Sequence, residues 1–408
     1  MTRAGTPHGR TQAAAPPPHR VTQAMPSRPF AQTAAQHSRR GLACFLSLTA
    51  LTLACLCLFA APAAARPQNL GQLTAIADKL TETRVGYGDI PALYRPRYDR
   101  TTDADLSMSQ NDPVFIVMLP GGPRIYPQRI MVWHLVVNEL IDDRAYAITY
   151  CPITGSLAAY DAYMGGLNLR FDPQGTLYMG NDVLMDRNSG SRWLQMDGIA
   201  FDGPLTGRGM PMLTVYWTDW GHAKRLFPQA PVLAPPAGHK RPYSRDPYGN
   251  YLKKGTYYDN DVLVYPIEKT DRRLPKKNAV YCLEYKKKLL AIDIAAVKKK
   301  GAVNFFLDED ALVAVHDRTL DVVRVYNRLL WQKPSLFVMR GGVLTDIGTG
   351  TRWDPATGKA LQGRMQGAQM TQSYGMYSMW FAWAAMNPET LLIPGPGEVP
   401  EAVLRGGR

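Results

Sequence analysis

The sequence predicts a mainly β fold of the β-rich α+β kind, built as two tandem copies of one antiparallel unit with a few short helices. Residues 183–193 recur as residues 343–353, and the same register continues as far as Pro228 and Pro388. Self-similarity over such a length indicates a repeated structural unit. Short apolar runs separated by turn residues at close spacing are typical of antiparallel β-structure.

The elements of the first unit follow from these apolar runs. Residues 113–119 form one continuous apolar run, a Gly-Gly-Pro turn follows at 121–123, and residues 126–138 suit either a short helix or a buried strand. Strands are also predicted at 145–150, 156–160, 167–171, 177–179, 183–185 and 212–217, and a short helix at 222–227.

Repeat boundaries and composition divide the chain into six segments. The predicted segments are an export signal at 1–65, an N-terminal arm at 66–111 with helical spacing over 70–80, repeat unit 1 at 112–235, a tyrosine-rich connector at 236–277, repeat unit 2 at 278–395, and a tail at 396–408. The connector is interpreted as an ordered crossover between the units, with disorder as the alternative.

The N-terminal segment has the pattern of a cleaved signal peptide. Six arginines without a lysine or an acid occupy residues 1–40, and an apolar run over 41–61 ends in small residues before a predicted cleavage after Ala65. An uncleaved anchor is the alternative. Arg39-Arg40 indicates twin-arginine export, with ordinary secretion as the other route. A periplasmic or secreted protein with no transmembrane segment after cleavage is expected, because no second run is as long.

Composition limits the partners. The chain has 47 Lys and Arg against 34 Asp and Glu, a formal charge of +13. The leader contributes six of these arginines. Lysines cluster at 286–288 and 298–300, which favours a solvated face over an anionic partner. No nucleic-acid motif is present, so no nucleic-acid partner is predicted. Cys151 and Cys282 outside the leader permit a disulfide, although a chain of this size does not need one.

Cys151 and His134 are the candidates for chemistry. Cys151 follows a predicted strand at a Pro-Ile-Thr-Gly turn, and His134 precedes it by 17 residues. A Cys–His pair can act as a nucleophile and its base, or as two ligands of a soft or borderline metal ion. A third ligand would come from His222, His316 or Met185. A buried cysteine and a hydrogen-bonded core histidine are the alternatives.

Comparison of the two copies sorts the remaining candidates. The predicted binding residues all lie in the first copy; they are Arg124, Tyr126, Asn138, Gln195 and Trp217. In the second copy, Pro355 stands opposite Gln195. A shift of 165 places His316 opposite Cys151. Residues present in both copies are predicted to be structural, with each Asp–Arg pair closing a hairpin by a charge-assisted hydrogen bond; they are Asp186, Arg192, Trp193, Asp346, Arg352 and Trp353.

These stretches, in this order, resemble the bacterial family known as domain of unknown function 3179. The resemblance rests on Arg124 to Pro127, Trp133-His134 with Asn138, the Tyr-Cys-Pro box at 150–155, and the Asp186 to Trp193 stretch. Two positions depart from the family pattern: Leu135 replaces an acid, and Ile153-Thr154 replaces a second cysteine. The resemblance implies an exported protein and no particular reaction.

Two functions are therefore predicted, with a third left open. The first is an exported protein of unknown activity with a Cys/His thiol or metal site in repeat unit 1. The second is a non-enzymatic module that binds a small molecule or envelope partner in the groove between the repeats, through Tyr216, Trp217, Tyr374 and Tyr377. A purely structural envelope protein is the third.

Overall fold

The structure is β-rich, as the sequence predicts, with 41% strand, several antiparallel sheets and a few short helices. The computed structural model describes residues 70–267 and 269–399, so the predicted export signal and most of the predicted tail lie outside the described residues. No helix in these two ranges is both long and apolar enough to cross a membrane.

The N-terminal arm and the first half contain sixteen strands within the described residues. In chain order, the elements up to residue 233 are α1 (Leu70–Thr74), a 3-10 turn (Ala77–Lys79), β1 (Thr81–Glu82), β2 (Leu93–Tyr94), β3 (Tyr98–Asp99), α2 (Thr101–Ala104), β4 (Pro113–Leu119), β5 (Gly122–Pro127), α3 (Gln128–His134), β6 (Val136–Ile141), β7 (Arg144–Cys151), β8 (Ser156–Asp161), β9 (Tyr163–Met164), β10 (Leu167–Asn168), β11 (Phe171–Tyr178), β12 (Asn181–Asp186), β13 (Arg192–Leu194), β14 (Ile199–Asp202), β15 (Val215–Asp219), α4 (Trp220–Leu226) and β16 (Val232–Leu233).

The remaining described residues contain a connector without strands and then a second series of elements. These are a 3-10 turn (Tyr257–Asp259), β17 (Ala279–Tyr285), β18 (Lys288–Asp293), α5 (Ile294–Lys300), β19 (Ala302–Leu307), β20 (Asp310–Asp317), β21 (Val322–Asn327), β22 (Leu329–Leu330), β23 (Lys333–Pro334), β24 (Phe337–Arg340), β25 (Val343–Asp346), β26 (Arg352–Trp353), β27 (Ala360–Gln362), β28 (Thr371–Ser373), β29 (Met376–Met379), α6 (Trp380–Met386) and β30 (Leu391–Ile393).

One eight-stranded sheet crosses the boundary between the halves. Its strand order is β2-β6-β7-β8-β29-β17-β18-β30, and the join is the antiparallel contact of Leu157 in β8 with Tyr377 in β29. The Met379 amide donates to the Thr154 carbonyl at 2.7 Å beside this join. The other large sheets are β15-β4-β5-β16-β3, β1-β11-β12-β13-β14, β19-β20-β21-β28 and β24-β25-β26-β27.

The two halves run through a similar series of strands and helices, although duplication itself stays a prediction. In the first half Val136 pairs with Thr149 and Cys151 with Ser156; in the second, Ala302 pairs with Val315 and Asp317 with Val322. These registers correspond at a shift of 166. The predicted shift of 165 is therefore wrong for this hairpin, and Asp317, not His316, occupies the position of Cys151.

Most predicted elements appear, and the differences have local causes. Residues 126–138 contain the end of β5, the helix α3 and the start of β6, so both alternatives for this stretch are partly right. The predicted strand 167–171 is broken, because the short β9–β10 hairpin ends at Asn168 and β11 starts at Phe171. β11 continues through an irregularity between Pro173 and Leu177, where Gly175 has a φ of 85°.

Large aromatic side chains occupy the interior. Trp193, Trp220, Trp353 and Trp380 are all buried. The connector is attached to this interior, since Tyr258 is buried and other connector tyrosines pack against two apolar clusters, one of which contains residues of both halves. Burial of large aromatic surface is the main favourable contribution to such a core.

Candidate functional site

Cys151 lies at the end of β7 in a turn that the connector covers. Its thiol is fully buried, is not in a disulfide, and packs with Ile153, Leu177 and three connector tyrosines. Burial raises the pKa of Cys151 well above its usual value, and the nearby Asp182 carboxyl raises it further. The side chain is therefore a protonated thiol at neutral pH, and Cys282 is also buried and is not in a disulfide.

His134 ends α3 and has both ring nitrogens occupied. Nδ1 lies 2.7 Å from the Pro91 carbonyl oxygen, and Nε2 lies 2.8 Å from Tyr243 Oη. A carbonyl can only accept, so Nδ1 carries the proton and Nε2 accepts from the tyrosine hydroxyl. Burial lowers the pKa of His134 to about 4, which keeps the imidazole neutral. None of its hydrogen bonds reaches Cys151, so the described contacts do not join the two predicted catalytic residues.

A buried polar network follows Cys151 instead. Gln195 Oε1 accepts from Ser156 Oγ at 2.6 Å and from Asn181 Nδ2 at 2.8 Å, and Gln195 Nε2 donates to Thr149 Oγ1 at 2.8 Å. Asn181 also donates to Thr154 Oγ1 at 3.0 Å. All five side chains are buried, and satisfied buried polar groups of this kind fix one local geometry. The network therefore holds the turn at 151–156 rigidly.

The second half has no equivalent of this network. At the shift of 166, apolar residues occupy the positions of Thr149, Thr154 and Ser156; they are Val315, Leu320 and Val322. At the shift of 160 that applies after the longer hairpin, Pro355 stands opposite Gln195. The sequence predicts that Gln195 is specific to the first half, and this arrangement agrees with that prediction.

A longer hairpin in the first half supplies Asn181, one of the members of the network. Ten residues separate the partners Pro173 and Leu184 in β11–β12, whereas four separate Met339 and Leu344 in β24–β25. The extra residues include Asn181 and Asp182. The six-residue difference equals the change of the repeat shift from 166 to 160, so the sequence contained a signal for this insertion.

Asp182 is the acidic neighbour of Cys151 that sequence reasoning missed. Its Oδ2 is buried and makes no hydrogen bond to another described residue. Burial raises the pKa of Asp182 to about 6, and the adjacent Cys151 side chain partly opposes this rise. Among the described residues, Cys151 and Asp182 are the arrangement that most resembles a thiol site.

Arg124 and Tyr126, both predicted to bind a ligand, instead meet a buried acid. Arg124 Nη1 lies 2.6 Å from Glu139 Oε2, and Tyr126 Oη donates to Glu139 Oε1 at 2.7 Å. Burial raises the pKa of Glu139 to about 8, while the adjacent guanidinium favours its ionised form. The corresponding second-half residues are all apolar; they are Leu290, Ile292 and Phe305.

Asn138, another predicted binding residue, fastens one strand to the next. Its Nδ2 donates to the Phe171 carbonyl at 2.9 Å, and its Oδ1 accepts from the Phe171 amide at 2.7 Å. Asn304 makes the same two contacts with Phe337, at 2.7 and 2.9 Å. The amide groups are used by the backbone, so a structural role explains Asn138 fully.

The predicted hydrogen bond between Asp186 and Arg192 is wrong. Asp186 accepts from the Trp193 indole at 2.8 Å and from the Ser189 amide at 2.6 Å, whereas Arg192 pairs with Asp202 at 2.8 Å. Neighbouring residues of a strand point to opposite faces, so Trp193 shares the face of Asp186 and Arg192 does not.

In the second half the same loop is held with fewer contacts. Asp346 accepts from the Gly348 amide at 3.0 Å and from Thr349 Oγ1 at 2.6 Å, while Arg352 contacts Gln362 at 3.3 Å. The Trp353 indole N–H is buried without a partner among the described residues. The Asp–Arg closure is thus absent from both loops as they are described.

The predicted third metal ligands are dispersed or engaged. His222 Nδ1 contacts Asp219 at 2.8 Å, and His316 Nε2 contacts Asp321 at 2.7 Å. Met185 is half-buried in β12 beside Arg192. Across residues 70–267 and 269–399 there is no group of three or more His, Cys, Asp or Glu side chains that could hold a metal ion.

A cavity of about 410 Å³ lies where the halves and the connector meet, and it is called the central cavity below. Its walls come from the turn at Gly155, from β15 and β29, from α5 and from the connector, and its aromatic lining consists of Trp217, Tyr251, Tyr258 and Tyr377. Of the residues predicted to bind a ligand, Trp217 and Tyr377 line this cavity, whereas Tyr216 and Tyr374 are not in its lining.

The aromatic rings of the central cavity are held by their own contacts. Tyr251 stacks on Tyr258 with ring centroids 3.6 Å apart, and Trp217 meets Tyr251 edge to face at 5.2 Å. Tyr150 Oη lies 2.9 Å from Tyr251 Oη, and Tyr258 Oη donates to Asp246 at 2.8 Å. The Tyr150–Tyr251 bond joins the connector to the first half, and the Tyr258–Asp246 bond lies within the connector.

The described residues form a β-rich fold with an aromatic-lined cavity, and they contain no recognised catalytic constellation. The chain belongs to the family described as Protein of unknown function (DUF3179), whose model matches residues 87–390. The resemblance predicted from the sequence is therefore confirmed. No curated protein and no solved structure gives a significant match to the chain.

Proposed function

We propose that the protein is exported and that it binds a small molecule with a flat apolar body in the central cavity. The observation that carries the proposal is an aromatic-lined cavity bounded by β15, β29 and the connector. A volume of about 410 Å³ is within the range of small-molecule sites. Such sites combine apolar walls with a few polar groups that orient the ligand.

The aromatic lining favours a ligand that can stack or pack against ring edges. Trp217 lies between Tyr251 and Tyr377, with centroid distances of 5.2 and 6.3 Å. These rings are already fixed by neighbouring contacts, so a ligand would lose little affinity to ordering of the site.

One hydroxyl in the lining supports a polar contact with the ligand. Tyr377 Oη is buried and makes no hydrogen bond to another described residue. Burial raises the pKa of Tyr377, and the nearby main-chain N–H of Trp217 opposes that rise without reaching hydrogen-bond geometry. A buried hydroxyl without a partner is unfavourable, so a ligand that turns the Tyr377 ring toward the cavity would gain a contact with it.

Charged side chains at the margin of the cavity are engaged elsewhere. Lys298 pairs with Asp321 at 2.6 Å. Lys277 donates to the Val262 carbonyl at 2.6 Å and to that of Tyr257, and burial lowers the pKa of Lys277 to about 8. With its cations used in this way, the cavity favours a neutral or weakly polar ligand over a highly charged one.

The Cys/His alternative has weaker support. His134 uses both ring nitrogens elsewhere, and Cys151 is a buried thiol with a raised pKa. A nucleophilic role requires thiolate and access. The turn that contains Cys151 contributes Gly155 to the cavity wall, so its rigidity supports the binding site.

Filling the central cavity tests the binding proposal. Ala279 lines the cavity but is itself exposed, so Ala279→Phe adds a ring there without disturbing the core. With the neutral dye N-phenyl-1-naphthylamine as a fluorescent probe of the folded protein, we expect the variant to lose at least about tenfold in affinity, because one ring displaces a comparable ligand group. Ala75→Phe, at an exposed site outside the lining, is the matched control. Equal probe binding by all three proteins would refute the proposal.

Export is supported by the leader sequence and is tested separately. Expression of the full chain in a bacterial host, followed by N-terminal sequencing of the periplasmic fraction, should give a chain that starts at Arg66. Retention of an intact leader on protein confined to the cytoplasm would contradict export.

A further inference from the structure

The β22–β23 hairpin has an unusual residue at its tip. Trp331 and Gln332 form its two-residue turn with φ values of 49° and 61°. The matching β9–β10 hairpin has Gly165 and Gly166 there, with φ values of 57° and 84°. Two positive φ values favour Gly, Asn or Asp, and a bulky residue in this region is strained. The second half therefore keeps a tryptophan where its backbone favours glycine.

Trp331 makes no contribution to the core that would explain the strain. Its side chain is 67% exposed, and Leu329 in the same hairpin is 50% exposed. Phe306 on β19 is also exposed. Strain that persists without internal benefit indicates a functional role.

The base of the same hairpin is held by a buried arginine. Arg328 donates to the carbonyls of Leu312 at 2.9 Å and Ser335 at 2.8 Å, and its guanidinium lies 4.6 Å from the Phe306 ring centroid. Ala162 occupies this position in the first half. The second half thus holds in place the hairpin that presents Trp331.

A lysine-bearing turn lies next to this hairpin. Asn327 Nδ2 donates to Tyr285 Oη at 3.2 Å, which places the β17–β18 turn beside the base of β22. Lys286 and Lys287 form that turn, both with positive φ. Lys286 and Lys288 are paired with aspartates of the β19–β20 turn.

Two lysines at this end of the fold carry charge that no ion pair neutralises within the described residues. They are Lys287 and Lys333, and both are exposed. Glu309 is exposed at the same end and opposes them in part. The exposed apolar side chains here are Phe306, Leu329 and Trp331. Lys333 pairs with Leu330, so it points to the opposite face of the hairpin from Leu329, and Lys287 lies on the neighbouring turn. The tip of the hairpin with these flanking side chains is called the Trp331 face below.

We infer that the Trp331 face docks on an anionic lipid surface. Tryptophan is enriched at the boundary between lipid and water, and shallow apolar insertion together with lysine contacts to anionic headgroups gives reversible membrane binding. A glycan would use the flat face of Trp331, but it offers nothing to the aliphatic Leu329. The inference is independent of the ligand in the central cavity.

Flotation with vesicles of phosphatidylcholine, with and without phosphatidylglycerol, tests this inference. The purified protein should float with the anionic vesicles, and binding should weaken as salt is raised. Trp331→Gly should lower the affinity at least about tenfold, because the buried aromatic surface is lost. It should leave the melting temperature unchanged or higher, because glycine suits the φ of this turn.

Further variants separate charge from apolar contact. Lys287→Ala should weaken binding by about fivefold and reduce its salt dependence. Leu106→Ala removes an exposed apolar side chain elsewhere and should bind like the unaltered protein; Leu106 is 90% exposed. Flotation of Trp331→Gly at wild-type affinity, failure of the unaltered protein to float with either vesicle, or retention on insoluble glycan instead of vesicles would each overturn the inference.

Discussion

Replacement of Gln195 by leucine is expected to destabilise the protein strongly, although the two side chains are similar in size. The Gln195 amide makes three hydrogen bonds, to Ser156, Asn181 and Thr149, at 2.6 to 2.8 Å. Leucine can make none of them, and Gln195 is 1% exposed, so water cannot replace them. The perturbation therefore leaves buried polar groups with fewer partners.

The expected size of the effect follows from these bonds. Each buried hydrogen bond contributes roughly 1 kcal/mol, and a group left without a partner costs more. Gln195→Leu should thus lower the free energy of unfolding by about 3 kcal/mol, and by up to about 5 kcal/mol if the Ser156 hydroxyl finds no new acceptor. Because volume is nearly conserved, cavity formation adds little.

Urea unfolding followed by far-ultraviolet circular dichroism measures this change. Gln362→Leu is the matched control, since Gln362 is exposed and makes one long contact of 3.3 Å to Arg352. It should alter stability by no more than about 0.5 kcal/mol. A loss below about 1 kcal/mol for Gln195→Leu would refute the view that this network holds the turn.

Two further predictions concern the candidate chemical residues. Iodoacetamide should label Cys151 and Cys282 of the folded protein at least about a hundredfold more slowly than the urea-unfolded chain, because both thiols are buried; rapid labelling of Cys151 with an inflection near neutral pH would contradict this. The His134 pKa of about 4 lies below its unfolded value, so the unfolded chain binds more protons and stability falls as pH drops through about 6.5. The loss between pH 7 and pH 5 should be about 2 kcal/mol in urea titrations, and His134→Gln should remove that part of it; an unchanged pH dependence would count against the buried neutral imidazole.

Local patterns made most of the strands predictable. The run at 113–119 became β4 without a change of boundary, because continuous apolar residues followed by a glycine turn leave few alternatives. Asn138 was interpreted as a binding residue although its match, Asn304, was visible. That match indicated a structural role, and the contacts with Phe171 and Phe337 agree with it.

The site depends on proximity that a single sequence does not encode. Glu139 lies opposite Arg124 because β5 and β6 belong to different sheets that pack together, and no spacing along the chain reveals this. Tyr243 reaches His134 from 109 residues away. The longer hairpin that contains Asp182 can be recognised from the sequence, because the shift between the two copies changes across it.

The contact of Leu157 with Tyr377 has a consequence for how the chain can be divided. A cut within the connector would give two fragments, and each would expose the backbone donors and acceptors of a bare strand edge. Such an edge recruits other strands, so the severed pieces would reassociate with one another or precipitate. We therefore expect neither fragment to remain folded alone, so truncation or engineering should keep this strand contact intact.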